Sequence, residues 1–232
     1  MQAQNLLTHG NINPAQNPYQ QKLDEIIAQH DPEWRLSLAD ILKPLFELAH
    51  QRSTLDNAIE ENRTVIFTAN DYVNKLGAQK LLAAQKSANG KEFPAFLYKR
   101  IDLAQHFIGS AALTASVNGQ IAQVMGEEKE LSDAQGGSGF SFIDLTADKA
   151  GTRFGELAIS SPENARKIQK FMASIKDYTD FMPDPRDLPE NMNEAEFIQR
   201  YQSISSPAYK EVLKLIDQRI AATPIYQVQD PK

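Results

Sequence analysis

Residues 102–117 read DLAQHFIGSAALTASV, a run in which Ala104, Gly109, Ser110, Ala111, Ala112, Ala115 and Ser116 are small and the spacing of the larger apolar residues is helical. Small side chains let a second helix approach closely, so the run predicts a central helix. A partner is legible further on. Ser141 is placed to cap a helix running to about Ile159, SFIDLTADKAGTRFGELAI, with Asp144 three residues on as in a capping box. Its apolar stripe is Ile143, Ala147, Ala150, Phe154, Leu157 and Ala158. Gly109, Gly151 and Gly155 interrupt these two helices. A glycine inside a helix costs about 1 kcal/mol relative to alanine, so each needs a compensating reason, and close contact between helices supplies one. The expectation is that the 102–117 and 142–158 helices pack against each other.

Outward from this pair the chain reads as helices joined by short breaks. Lys22–Gln29 is a short helix. Leu36–Gln51 is amphipathic, with Pro44 predicting a kink or break. Ser53 or Thr54 is read as the cap of a longer helix to about Lys75 with the stripe Leu55, Ala58, Ile59, Ile66, Ala69 and Val73, and Gly77–Ala84 as a separate short helix. Ser87–Pro94 reads as a loop, Asn118-Gly119 as a turn and Gln120–Ala134 as a helix. Ser161-Pro162 and Ser206-Pro207 each place a capping serine before proline at a first helical position. The stripes that follow are Ile168, Phe171, Met172, Ile175 and Val212, Leu215, Ile216, Ile220. Met182–Pro189 is an extended linker, and Glu194–Tyr201 a short helix. Thr64–Thr68 (TVIFT) is the best strand candidate by β-branched content, but the helical period around it argues otherwise. The fold class is therefore all-α, an irregular multi-helix bundle with a central small-residue-rich helix pair. Three parts are expected: a mobile N-terminal arm over 1–20, a helical core domain over 21–180, and a C-terminal helical extension over 181–232 packed on the core.

Composition narrows the function classes. The 232 residues carry a net charge of −6 and are 41% hydrophobic, which provides for a core and argues against a nucleic-acid partner. There is no cysteine, so disulfides, Cys-ligated zinc, iron–sulfur clusters and thiol nucleophiles are excluded. The first 20 residues lack the charged and apolar regions of a signal peptide. The expected location is cytoplasmic, or periplasmic if a leader has been removed. The uncharged run Leu103–Gly126 is too polar for a lipid-facing span, so the chain is expected to be soluble and not membrane-spanning.

Candidate chemistry gathers on the two central helices. Asp102 and His106 are four apart and share a face, as do Asp144 and Asp148. If the helices are neighbours, the acids surround the imidazole. The candidate catalytic residues are His106, Asp102 and Glu130, with His106 as base and Asp102 orienting it. The candidate metal ligands are His106, Asp144 and Asp148, the donor types for a divalent metal, and such a metal is the one cofactor considered. Ser110, Lys129, Gly137, Ser138, Gly139 and Ser141 are the candidate ligand-binding residues. The GGSG loop at 136–139 leads into a helix N-terminus, where backbone N–H groups could bind an anion or line a pocket mouth. Arg100, Lys149 and Arg153 stand as counter-charges. The plain alternative is that the Asp/His cluster is a satisfied polar core. The partner considered is a small molecule or a cell-envelope component.

Arg100–Phe107 (RIDLAQHF), Ser110–Leu113, Lys129-Glu130 with Asp133, and Gly136–Ala158 (GGSGFSFIDLTADKAGTRFGELA) together resemble an uncharacterised bacterial protein family. More distantly they are similar to the YfiM-type envelope lipoproteins and the VanZ-like proteins, through an Asp-x-x-x-His or Asp-Lys-x-x-His opening, a Lys-Glu or Glu-Leu middle and a Ser-x-x-Asp-x-x-x-Asp/Asn-x-x-Gly close. The resemblance covers about a quarter of the chain and implies a bacterial source and an envelope setting. It implies no established reaction. VanZ-like proteins are membrane-embedded, and the matching segment here is too polar for that.

Overall fold

A computed structural model describes residues 17–81, 93–116 and 139–228, with the backbone alone over 75–81. Among these residues the chain is an all-α bundle of eight α-helices, with isolated bridge pairs in place of a sheet. The helices are α1 (Pro18–Gln29), α2 (Leu38–Arg52), α3 (Ala58–Leu81), α4 (Ile101–Ser116), α5 (Phe142–Ile159), α6 (Pro162–Met172), α7 (Glu194–Tyr201) and α8 (Pro207–Ala222). Short 3₁₀ turns follow at Tyr178–Asp180 and Pro224–Gln227. The expected arm over 1–20 mostly lies outside the described residues, as do the Asn118-Gly119 turn and the Gln120–Ala134 helix.

Local chemistry sets the helix starts. Asn17, Ser141, Ser161 and Ser206 each accept a backbone N–H of the first helical turn through the side chain, and prolines open α1, α6 and α8. Ser37 with Asp40 and Asn193 with Glu196 form full capping boxes. Three sequence expectations change. Pro44 does not break α2, which runs through it. One hydrogen bond, to the Asp40 carbonyl, is lost inside the helix, and the fully buried Ile41, Leu42, Leu45 and Phe46 hold both sides in place. Ser53 does not open the next helix. It closes α2 by donating its backbone N–H and its hydroxyl to the Ala49 carbonyl. The helix expected to stop near Lys75 continues through Gly77 to Leu81 as one element. Thr64–Thr68 lies within it, as the helical period requires.

Among the described residues the α4–α5 pair has the most extensive contact, and α3 lies across both helices. Helix α2 packs on α3 and α6, and α1 on α2 and α3. The core runs from Tyr19 to Tyr226 without a gap in its contacts. Leu55 and Leu215, both assigned to inward stripes by spacing, are instead 54% and 40% exposed. Leu55 precedes the first turn of α3, where the helical period does not yet apply. The C-terminal helices are held by rings: Phe140 and Phe142 at the start of α5 meet Phe197, Tyr201 and Tyr209, with the Phe140 and Phe197 centroids 4.6 Å apart.

The glycines explain the central pair. A Cβ on Gly151 would stand 2.0 Å from the Phe107 carbonyl oxygen, and one on Gly155 2.7 Å from that of Ala111. Both glycines of α5 therefore lie directly against the backbone of α4. Gly109 differs. Its Cβ would meet the side chains of Asn74 and Asn70 on α3, at an ordinary 3.5 and 4.0 Å, so close approach of α5 is not its reason.

This contrast is testable by chemical denaturation. Gly151→Ala should lose about 3 kcal/mol or more, because its neighbour is rigid backbone. Gly109→Ala should be neutral or gain up to about 1 kcal/mol from helix propensity. Equal effects at the two positions would contradict the packing described.

Candidate functional site

Close approach of α4 and α5 brings Asp102, His106 and Ser110 of one helix against Asp144 and Asp148 of the other. The His106 Nδ1 lies 3.2 Å from both carboxylate oxygens of Asp148. The Ser110 hydroxyl donates to Asp148 Oδ1 at 2.6 Å. Because an ionised carboxylate only accepts, Nδ1 carries the hydrogen in this contact. The other ring nitrogen, Nε2, faces Asp144 Oδ2 at 3.9 Å. These three side chains are nearly enclosed, His106 and Asp144 at 15% and Asp148 at 10% exposure.

The outer end of the cluster is organised by Arg100, which stands immediately before α4. Its guanidinium donates to both oxygens of Asp102 and, at 3.1 Å, to Asp144 Oδ1. It also reaches Glu190 at 2.5 Å. One cation thus joins α4, α5 and the segment between the Tyr178–Asp180 turn and α7. The two helical acids respond differently. Burial would raise Asp102, but the hydrogen bonds and charge of Arg100 outweigh it and hold its carboxyl below the usual range. At Asp144 burial wins, and the carboxyl is pushed upward despite the charges of His106 and Arg100. Arg100 is shared among three carboxylates, and the nearby Asp102 charge adds repulsion.

The Gly-rich loop is described only at its end. Gly139 has φ +90, and a Cβ there would stand 2.9 Å from the Asn191 carbonyl carbon. Phe140 and Met192 exchange backbone hydrogen bonds at 2.7 and 3.0 Å, and the Phe142 N–H donates to the Pro189 carbonyl. The Ser141 hydroxyl is buried and accepts the Asp144 N–H at 3.1 Å. The N-terminus of α5 is therefore covered by residues 189–192, which take the place of the open anion-binding mouth read from the sequence. Lys129, Glu130, Gly137 and Ser138 lie outside the described residues.

Among the described residues no three His, Asp or Glu side chains stand together as a metal-holding group. Among the described residues the two nitrogens of His106 face different carboxylates, Nδ1 that of Asp148 and Nε2 that of Asp144. Arg100, 3.1 Å from Asp144, already occupies the position of a positive charge there. Lys149 and Arg153, read as counter-charges, turn away from the cluster and pair with Asp217 and Glu156.

Two features escaped the sequence reading. Glu190 is separated from Arg100 by 90 positions in a linker with no periodic signal. Gln169 is fully buried, donating to the Asn62 side chain and the Ser53 hydroxyl at 2.8 Å each, while Asn62 donates to the Ala158 carbonyl at 2.7 Å. Neither residue had a motif to announce it. The only available cue was a polar side chain on an apolar stripe. No family model, curated protein or solved structure matches the chain. Among the described residues no helix is long and apolar enough to cross a membrane.

The opposed shifts at the two acids have opposite linkage. A carboxyl raised in the folded state costs stability as pH climbs past its unfolded value, whereas one lowered in the folded state adds stability as pH climbs from its folded value up to the unfolded one. As pH rises above the ordinary 3.8, the unfolding midpoint of Asp144→Asn should therefore move in the variant's favour relative to the parent. Asp102→Asn should instead move against the variant as pH rises toward 3.8 from below and level off above it, by less than about 1 kcal/mol because the pair is part-exposed. Parallel pH profiles would contradict the electrostatic description.

Proposed function

We propose that the chain is a non-catalytic helical binding domain of bacterial origin, in which the Asp/His cluster is a polar clamp. The clamp fastens α4 to α5 and, through Arg100, holds the 183–193 segment across the entrance of α5. The envelope setting rests on the resemblance of residues 100–158 to envelope families, and the ligand class on the cavity described below.

The observation that carries this reading is the order of the contacts. In a serine-nucleophile triad the histidine stands between the hydroxyl and the acid, so that it can take the hydroxyl proton. Here Asp148 stands between Ser110 and His106. A carboxylate is far too weak a base to activate a serine hydroxyl, and the imidazole is turned to the other side of the acid. Each polar group of the inner cluster serves another protein group, as a satisfied core network does. The alternative, a metal-dependent hydrolase acting on an envelope component, has no support in the disposition of His106, Asp144 and Asp148.

His106→Ala leaves Asp148 with one fewer donor in a nearly enclosed site. Urea denaturation should show a loss of about 1–3 kcal/mol, and Ser110→Ala a smaller loss in the same direction. The binding of small carboxylates proposed below should be unaffected by His106→Ala. An unchanged unfolding midpoint for His106→Ala, or an esterase or amidase activity of the purified protein that His106→Ala abolishes, would overturn the clamp.

A further inference from the structure

Round the axis of α5 from the clamp, a second polar group opens on a cavity of about 260 Å³ between α5, α8 and the Pro224–Gln227 turn. Lys149, Thr152, Arg153 and Glu156 line it from α5, where spacings of three and four put them on one face, and Glu156 is there the partner of Arg153. Asp217 and Ile220 line it from α8, and Tyr226 closes one side. The volume lies just below the usual range for small-molecule pockets, which suits a ligand of few heavy atoms.

We infer that this cavity binds a small carboxylic acid with a short apolar tail. Three donors face it from α5. The Lys149 side chain is only 12% exposed, and its ammonium meets Asp217 at 3.1 Å. Asp217 is itself 59% exposed, so it reaches inward from solvent to set a carboxylate on the buried cation. That carboxylate marks the chemistry the ammonium accepts, and it can swing out when another acid arrives. Arg153 is tied only to Glu156, one turn along its own helix and half-exposed like it, a pairing of small net strength.

Thr152 is the second, independent observation. Only 6% of it is exposed, yet among the described residues its hydroxyl has no hydrogen-bond partner. Thr64, Thr114, Thr146 and Thr223, also in helices or at a helix end, each donate to the carbonyl four residues earlier. A hydroxyl on a largely buried threonine that forgoes this bond and lines a cavity is a donor turned to that cavity. The opposite wall is apolar. Ile220 is buried, and the Tyr226 hydroxyl is turned inward to the Ala150 and Phe181 carbonyls, so its ring is what the cavity meets. Burial raises the Tyr226 phenol well above its usual value, which keeps it neutral and adds no charge to repel an anion. Cationic and hydroxyl donors on one side with an aliphatic and aromatic wall on the other match a carboxylate head and a hydrocarbon tail.

Isothermal titration of the full chain with pentanoate, pentylamine and inorganic phosphate tests the assignment. Pentanoate should bind saturably, and more tightly than either comparator. Lys149→Met should weaken it about ten-fold or more, the scale of a lost hydrogen bond to a charged group. Thr152→Val, nearly isosteric, should weaken it several-fold without lowering the melting temperature. Asp217→Asn should strengthen binding, because it removes the charge of the internal competitor. No saturable pentanoate binding, phosphate binding as tightly as pentanoate, or an Asp217→Asn variant that binds no better would each overturn the proposal. If Lys149→Met fails to fold, the Thr152 and Asp217 variants decide the matter. The clamp does not line this cavity, so loss of pentanoate binding here leaves the reading of His106 and Asp148 standing.

Discussion

The contact of α5 backbone on α4 backbone at Gly151 and Gly155 determines most of what surrounds it. With the helices at this distance, side chains on the shared face have no room to reach solvent and must find partners in one another. Asp148 can accept from both His106 and Ser110 because its helix has been brought within hydrogen-bond reach of α4. A carboxylate so enclosed would carry a heavy desolvation cost if its donors were absent. The small residues and the charged cluster are thus two parts of one arrangement, the first making the approach and the second satisfying what the approach buries.

The same helix serves two environments because its faces diverge. Asp144, Asp148, Gly151 and Gly155 turn toward α4, while Lys149, Thr152 and Arg153 turn toward α8. On the first face, the inner contacts of His106 and Asp148 join groups that are nearly enclosed, and they read as stabilising. On the second, a nearly buried lysine is held by an exposed aspartate and the hydroxyl of a largely buried threonine lines the cavity. Enclosed groups that satisfy one another make a core, whereas enclosed groups left waiting make a site. By that criterion the ligand-directed chemistry lies away from the histidine.

Much of the architecture was legible because helix-starting chemistry is local. Ser161-Pro162 and Ser206-Pro207 open helices where their side chains say they should, and the Gly151 and Gly155 pattern pointed to a neighbouring helix. The candidate site was legible only in its membership. Spacing put Asp102 with His106 and Asp144 with Asp148, but contact order is not encoded in spacing. A His, a Ser and three Asp residues are consistent with a metal site, a catalytic group or a clamp until the acid is seen to stand between the other two. Arg100 was noted as a counter-charge beside Lys149 and Arg153, and only it turns to the cluster. Glu190 was invisible, since a linker residue has no period and its partner lies 90 positions away.

By itself the sequence determined the all-α class, the positions of most helix starts and the close partnership of α4 and α5, because capping, amphipathic period and the need for small residues at tight crossings act over a few neighbouring residues. Only the tertiary structure decided which donor each carboxylate takes, that residues 189–192 cover the start of α5, and that a cavity forms between α5 and α8. Those outcomes depend on the meeting of segments far apart in the chain, where competition among burial, charge and hydrogen bonding is settled by geometry that no local pattern records.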